Sequence, residues 1–494
     1  MINIKYLNYA VILFHLFLIW FFPYPPLNDL PNHLATIHII NQIIHGDPYL
    51  SEAFEFDLFK PAIVPHIVIL LLSQIFPILI SAKIFLSLYI LVFYFSMDYF
   101  FKIFNKDNPY LTTISLLFLF NVFFYFGFLG FMLSIPVYFL LFTKLYQAKS
   151  NYLLISVSVI LLSFFHLATS FLLLLTIVCF DWKKIKDYKF FLYLTPFILL
   201  LLYWFSSSII ISDTNLFITS IIDKFLSLEH GISTFIFKIS LLFAFSPVGF
   251  FFVLIFLIYI YYSKYKLNFK KYILFLSILF ILFLFLPESI PQWQFLSSRI
   301  LPFFIFFIIL TFPKVSKIEE PIFFVILLIF LISAIVYTFV AFYDSHEEIS
   351  LIVSLQDYIE ENSSIQYLFV PSRLNVSYAF IQPYLHAQHY ITIEKNSVYT
   401  TDLFSYWYNP LKSKTYILSD FDHYSTRNIT VNQINVKDCK IYNSYFSKVI
   451  TDLAYPQNDY ILLFRDECNA TSYFLDNYTI IYNNSIVLMR IKKK

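Results

Sequence analysis

The sequence predicts an all-α polytopic membrane domain of about eleven transmembrane helices, followed by a small C-terminal α/β domain on the outer face of the membrane. Three observations carry this prediction. Charged residues make up 13% of the 494-residue chain, about half the roughly 25% of a soluble domain. Hydrophobic residues reach 59% and mean hydropathy is +0.73, more apolar surface than a soluble fold can hide. Finally, the long apolar runs stop near residue 343, and Asp, Glu, Asn, Ser and Thr rise from 344 onward. This pattern excludes a soluble enzyme, a nucleic-acid binder and a disordered chain. A formal net charge of +2 gives no pull toward an anionic partner. With 5 glycines the chain has neither a Gly-rich phosphate loop nor the material for GxxxG helix packing.

A spanning helix needs roughly 20 apolar residues. Candidate spans lie near 6–22, 62–79, 82–101, 110–125, 128–146, 152–180, 188–206, 238–261, 271–286, 299–313 and 321–343. The first has no small-x-small cleavage site before Pro23-Tyr24-Pro25-Pro26, so it is expected to stay as an anchor. Asn121, Gly127 and Gly130 interrupt 111–146, which reads as two short spans or one long tilted helix. The membrane domain is therefore 1–343, with outer loops 23–61 and 207–237, and the extracytoplasmic α/β domain is 344–494. Lysine placement sets the orientation. Clusters at Lys183–Lys189, Lys264–Lys271 and Lys314–Lys317 share one side under an eleven-span count, which puts the N-terminus in the cytoplasm and the C-terminal domain outside. Lys102, Lys106, Lys144 and Lys149 fall on the wrong side in that count.

In the C-terminal domain, 346–361 reads as a helix. The runs 366–370 and 460–464 read as buried strands. Cys439 and Cys468 share this domain, where oxidation is permitted, but spacing alone does not say whether they meet.

The sharpest chemical signal is the first outer loop, Asn28-Asp29-Leu30-Pro31-Asn32-His33-Leu34-Ala35. Pro31 can open a helix, because its missing N–H is one the first turn leaves unpaired. The run His33 to His45 then reads as a short amphipathic helix on the interface. Asp29 and His33 would flank its start, and a carboxylate there can take a proton from a hydroxyl as general base. The plainer reading is that Asp29 caps the helix and His33 is interfacial. His66 follows Pro65 at the start of a span, and His166 lies inside another, where polar groups usually face the bundle interior. Arg299 opens a span at the outer interface, suited to a bidentate phosphate contact, to snorkelling or to pairing with Glu288. His386 and His389, three apart and so suited to one helix face, could suggest a zinc site with Glu394, but no third ligand is placed by the spacing and no resident metal is assigned.

The loop Asp29-Leu30-Pro31-Asn32-His33-Leu34-Ala35 resembles the first outer loop of GT-C-fold glycosyltransferases, closest to bacterial-type members with an Asp-x-Pro-x-His-Leu-Ala loop. Protein O-mannosyltransferases, aminoarabinose transferases and oligosaccharyltransferases belong to the same superfamily. The stretch His386 to Glu394 and the following Asp402-Leu403-Phe404 resemble their outer domain. The resemblance implies a polyprenyl-phosphate-linked sugar as donor, the first-loop acid Asp29 as catalytic base, and a divalent metal in some members. Many members carry a second acid, for which Glu55, Asp57 and Asp107 are the candidates here, none in a clear motif. The expected function is transfer of sugar on the outer face to a glycan, lipid or protein acceptor. Asp29 and His33 would be catalytic, with Arg299, His66 and His166 at the donor phosphate. Two other classes compete. A lipid or glycolipid transporter or flippase would call for repeated halves, which the sequence lacks, and mid-membrane charges, of which it has few. A non-catalytic GT-C-like scaffold would account for a lone first-loop acid.

Overall fold

The computed structural model describes residues 4–105, 108–148, 151–208, 238, 240, 245–262, 272–286, 295–369, 386–395, 399–400, 411–413, 459–464, 475, 478–483 and 486–491. Asp107, Glu288, Asp402–Phe404, Cys439, Cys468 and nearly all of the expected outer loop 207–237 lie outside them. In chain order the helices are α1 (Ile4–Phe21), α2 (Leu30–Ile44), α3 (Pro48–Ala53), α4 (Val64–Ser73), α5 (Ile78–Phe104), α6 (Leu111–Leu116), α7 (Val122–Phe126), α8 (Leu129–Gln147), α9 (Tyr152–Phe165), α10 (Leu167–Phe180), α11 (Tyr188–Ser208), α12 (Pro247–Tyr262), α13 (Ile273–Phe285), α14 (Leu301–Leu310), α15 (Glu320–Val353) and α16 (His389–Glu394). The strands are β1 (Phe54–Phe56), β2 (Ser364–Phe369), β3 (Tyr399–Thr400), β4 (Leu411–Ser413), β5 (Tyr460–Phe464), β6 (Tyr478–Asn483) and β7 (Ile486–Ile491). The chain divides into two compact units. One comprises Met1–Phe21, Lys60–Pro65 and Lys83–Val340, and the other Phe22–Phe59, His66–Ala82 and Ala341–Lys494.

The first unit is helical throughout its described residues. Among the described residues, α1, α5, α8 and the helix beginning at Glu320 are long and apolar enough to cross a membrane, and seven further apolar helices have 10–17 residues. The chain is thus a multi-pass membrane protein in its helical part. Eleven uninterrupted spans are not what forms, because three of the expected runs are not single helices. The run 62–79 yields the 10-residue α4, after which Pro77 starts a new helix that runs on as the 27 residues of α5. The run 110–125 is broken into α6 and α7. Asn121 turns its amide oxygen onto the Phe123 and Phe124 N–H groups, and Gly127 ends α7 at φ +74°, a conformation that favours glycine.

The run 152–180 is divided at His166, whose backbone is extended, into two 14-residue helices that fold back on each other. Tyr152, at the start of α9, donates its hydroxyl to Asp187 beyond the end of α10 (2.7 Å), so both open ends lie together and His166 sits at the apex. Each helix is about 21 Å long at 1.5 Å per residue, short of the roughly 30 Å hydrocarbon core. Gly130 lets this apex close on α8. A Cβ there would lie 2.5 Å from the Phe165 carbonyl oxygen.

Contacts inside the first unit align the helix ends. Residues Tyr9 and Tyr94 (ring centroids 6.1 Å) and Trp20 and Ser87 (3.1 Å) make α1 and α5 antiparallel. Tyr99 bonds Gln147, and Lys144 lies 5.2 Å from the Tyr99 ring, so α5 and α8 end together. Asn105 donates to the Leu310 and Phe312 carbonyls at 3.0 and 3.1 Å, and Tyr110 donates to Glu320 at 2.7 Å. Lys102, Lys144, the Lys183–Lys189 segment, Lys314 and Lys317 therefore cluster at one end of this unit.

In the second unit the strands form a mixed five-stranded sheet in the order β3-β2-β5-β7-β6, with β2 parallel to β3 and β5, and β7 antiparallel to β5 and β6. Tyr460, Ile461 and Leu462 are buried in succession, as a central strand covered on both faces requires. The two runs read as strands from sequence are the adjacent β2 and β5. The expected span 321–343 and helix 346–361 are instead one 34-residue helix, α15, ending in a 3-10 turn at Ser354–Tyr358. Strand β1 pairs with β4, and α16 packs on α2.

Candidate functional site

Helix α2 begins at Leu30, one residue before the Pro31 expected to open it, with Asp29 at the N-cap. An N-cap aspartate ordinarily has extended backbone and accepts from the N2 or N3 amide. Asp29 does neither. Its backbone is helical (φ −89°, ψ −7°) and its side chain makes no capping bond, while its carbonyl accepts the first-turn bond from His33 N at 3.0 Å. The carboxylate faces His386 instead, with Asp29 Oδ1 3.6 Å from His386 Nε2 and side-chain exposures of 32% and 22%. That is an ion-pair distance, just outside hydrogen-bond reach.

Behind this pair His33 Nδ1 lies 3.1 Å from His66 Nε2, with the rings at 75°. Burial first, then the neighbouring His66 and His386, holds His33 well below the usual histidine range. His33 is therefore neutral near pH 7, and the two imidazoles share one N–H···N bond. His389 stacks on His386 with ring centroids 5.6 Å apart and is fully buried. The second unit thus brings together four sequence candidates, Asp29, His33, His66 and His386, with His389 behind them.

The loop before α2 is clipped to α16 by residues the sequence did not single out. Tyr24 donates its hydroxyl to Glu394 at 3.4 Å and packs on Tyr390 at 4.7 Å, and Tyr390 donates to the Pro25 carbonyl at 3.3 Å. Burial, with the Glu394 charge and bond, pushes the Tyr24 hydroxyl up to about 12. Glu394 is thus an anchor for the loop. The available signal was Tyr24 between two prolines, a stiff segment whose aromatic ring must pack somewhere.

Two candidate second acids sit in other surroundings. Glu55 is on β1 in register with Lys412 of β4, and Asp57 accepts from Phe59 N at 2.9 Å in a local turn. Among the described residues no three His, Cys, Asp or Glu side chains are arranged to hold a metal ion, so the metal allowed by the resemblance has no ligand set there.

In the first unit Arg299 and His166 meet. Arg299 Nη1 donates to His166 Nε2 at 2.5 Å, and the guanidinium carbon lies 5.1 Å and 5.5 Å from the Phe128 and Phe131 rings. A guanidinium only donates, so His166 carries its proton on Nδ1, which lies 3.3 Å from Thr169 Oγ1. The hairpin apex thus turns a polar imidazole inward to orient a cation held between two aromatic faces. This end of the unit is opposite the lysine-bearing helix ends. Phe128 and Phe131 were missed by sequence reasoning, since two phenylalanines among 64 carry no distinguishing signal.

Comparison with protein-family models, with curated proteins and with solved structures finds no match.

Proposed function

We propose that the chain is a membrane glycosyltransferase of the GT-C kind, moving a sugar from a polyprenyl-phosphate donor to an acceptor hydroxyl on the outer face. The observation that carries this reading is the Asp29 carboxylate. It makes no bond to the first turn of α2, is partly open to solvent, and is faced by an imidazole. Such a carboxylate is suited to remove the acceptor proton. Arg299, oriented by His166, would hold the donor phosphate through its guanidinium fork. His33 and His66 would support the start of α2 and so the position of Asp29.

The clustering of Lys102, Lys144, Lys183–Lys189 and Lys314–Lys317 at one end supports a cytoplasmic assignment for that end and for the N-terminus. In this topology α4 and the α9–α10 hairpin return the chain to the side it came from, and loop 23–61 and the C-terminal sheet are extracytoplasmic.

The test is incubation of purified protein in lipid vesicles with a panel of labelled polyprenyl-phosphate sugars. Release of free polyprenyl phosphate, dependent on an added acceptor alcohol, is the expected result. Movement of intact donor across the bilayer without release would replace this reading with a flippase.

A further inference from the structure

Of the imidazoles around Asp29, His386 is the one that both faces the carboxylate and opens to solvent. His66 is 8% exposed and His389 fully buried, whereas the His386 side chain is 22% exposed. Among the described residues, the charged and titratable groups around His386 are Asp29 and His33 of the α2 start, His66 of α4 behind His33, and His389 and the Tyr24–Glu394 pair about α16. We infer that His386 is a positioning residue for Asp29: with its own proton on Nδ1 it presents a bare Nε2 toward the carboxylate and takes up the proton that Asp29 removes from the acceptor hydroxyl. The inference rests on the reading of Asp29 as the base.

The step balances within that reading. The acceptor O–H gives its proton to Asp29 Oδ1, and its oxygen bonds to the anomeric carbon of the sugar. The bond from that carbon to the phosphate oxygen breaks, and its electron pair leaves with the polyprenyl phosphate. The proton passes from Asp29 to His386 Nε2, a small side-chain rotation from hydrogen-bond distance at 3.6 Å. The imidazolium then loses it to water. His33, half-buried and held neutral, does not compete for this proton.

Two arms test the inference on the full-length protein in lipid nanodiscs. The first needs no donor. Diethyl pyrocarbonate modifies neutral imidazole, and peptide mass spectrometry reads its reaction at His386 as pH is varied. Asp29→Asn should lower the pH midpoint of that reaction, because a carboxylate 3.6 Å away favours the imidazolium. An unmoved midpoint overturns the inference.

The second arm uses a labelled polyprenyl-phosphate sugar that is turned over by the wild type. His386→Gln should lower kcat by about 10- to 100-fold, less than loss of the base itself. The donor KM should stay near wild type, and the acid limb of the pH profile should flatten. Added imidazole should restore turnover to His386→Ala. If Asp29→Asn is inactive while His386→Gln keeps the wild-type rate and pH profile, His386 has no such role and the base reading stands. Full turnover in Asp29→Asn removes the base reading, and this inference with it.

Discussion

His33 Nδ1 and His66 Nε2 lie 3.1 Å apart, joining the first turn of α2 to α4 through two imidazoles that share one proton. His33 is held neutral by burial and by its histidine neighbours, so this is a neutral hydrogen bond in a half-buried place. Removing one partner deprives the other of that bond, which costs about 1 kcal/mol. His66→Ala should therefore lower the thermal unfolding midpoint in detergent. His66→Gln, which keeps a donor and an acceptor, should recover most of the loss. Equal midpoints for the alanine variant and the wild type would show that the pair does not stabilise the fold.

His38 gives a pH dependence. Burial lowers its pKa from 6.5 to about 4, and its Nε2 has no hydrogen-bond partner among the described residues. Above about pH 6.5 both folded and unfolded chains hold it neutral. Between about 6.5 and about 4 only the unfolded chain takes up the proton, so stability falls with pH by about 1.4 kcal/mol per unit. His38→Leu should raise the unfolding midpoint at pH 5.5 more than at pH 7.5. A gain independent of pH would remove His38 from the acid sensitivity.

Arg299 carries the donor-binding prediction. Arg299→Ala should weaken binding of a labelled polyprenyl-phosphate sugar by about 1.5–3 kcal/mol, roughly ten- to a hundredfold. Arg299→Lys should recover little, since an ammonium lacks the planar fork that bonds His166 and sits between Phe128 and Phe131. Unchanged donor binding in both variants would separate Arg299 from the phosphate.

Much of this arrangement was legible in the sequence. Low charge and long apolar runs fixed the membrane class, and Pro31 marked the start of α2. Apolar runs of five residues identified the adjacent strands β2 and β5. Periodicity did not show the division at His166, because neither proline nor glycine marks it and all of 152–180 is apolar enough to be one helix. A length signal was present: those residues would make a helix of about 43 Å, well beyond the roughly 30 Å core. The facing of Asp29 and His386, 357 positions apart, depends on α16 packing against α2 and has no local signature. Spacing also could not tell that Glu394 would bond Tyr24, or that Glu55 would stand opposite Lys412.

The topology is tested by single-cysteine labelling with an impermeant maleimide, after Cys179, Cys439 and Cys468 are replaced by serine. Lys186→Cys and Lys317→Cys should react only after the membrane is opened, whereas Glu55→Cys should react in intact cells. Labelling of Lys144→Cys and Lys186→Cys from opposite sides would contradict the α9–α10 hairpin, and labelling of positions 186 and 317 from opposite sides would contradict the shared lysine end.

The central claim is that Asp29 acts as a base, and Asp29→Asn tests it most directly. Asparagine keeps the size and hydrogen-bonding capacity of the side chain but cannot take a proton at neutral pH. The measurement is release of free polyprenyl phosphate from a labelled donor by purified protein in lipid, with donor binding measured in parallel. The account predicts a rate lowered by about 10²–10⁴-fold with donor affinity unchanged. Turnover at the wild-type rate in Asp29→Asn would contradict it and turn attention to Glu55, Asp57 and Asp107.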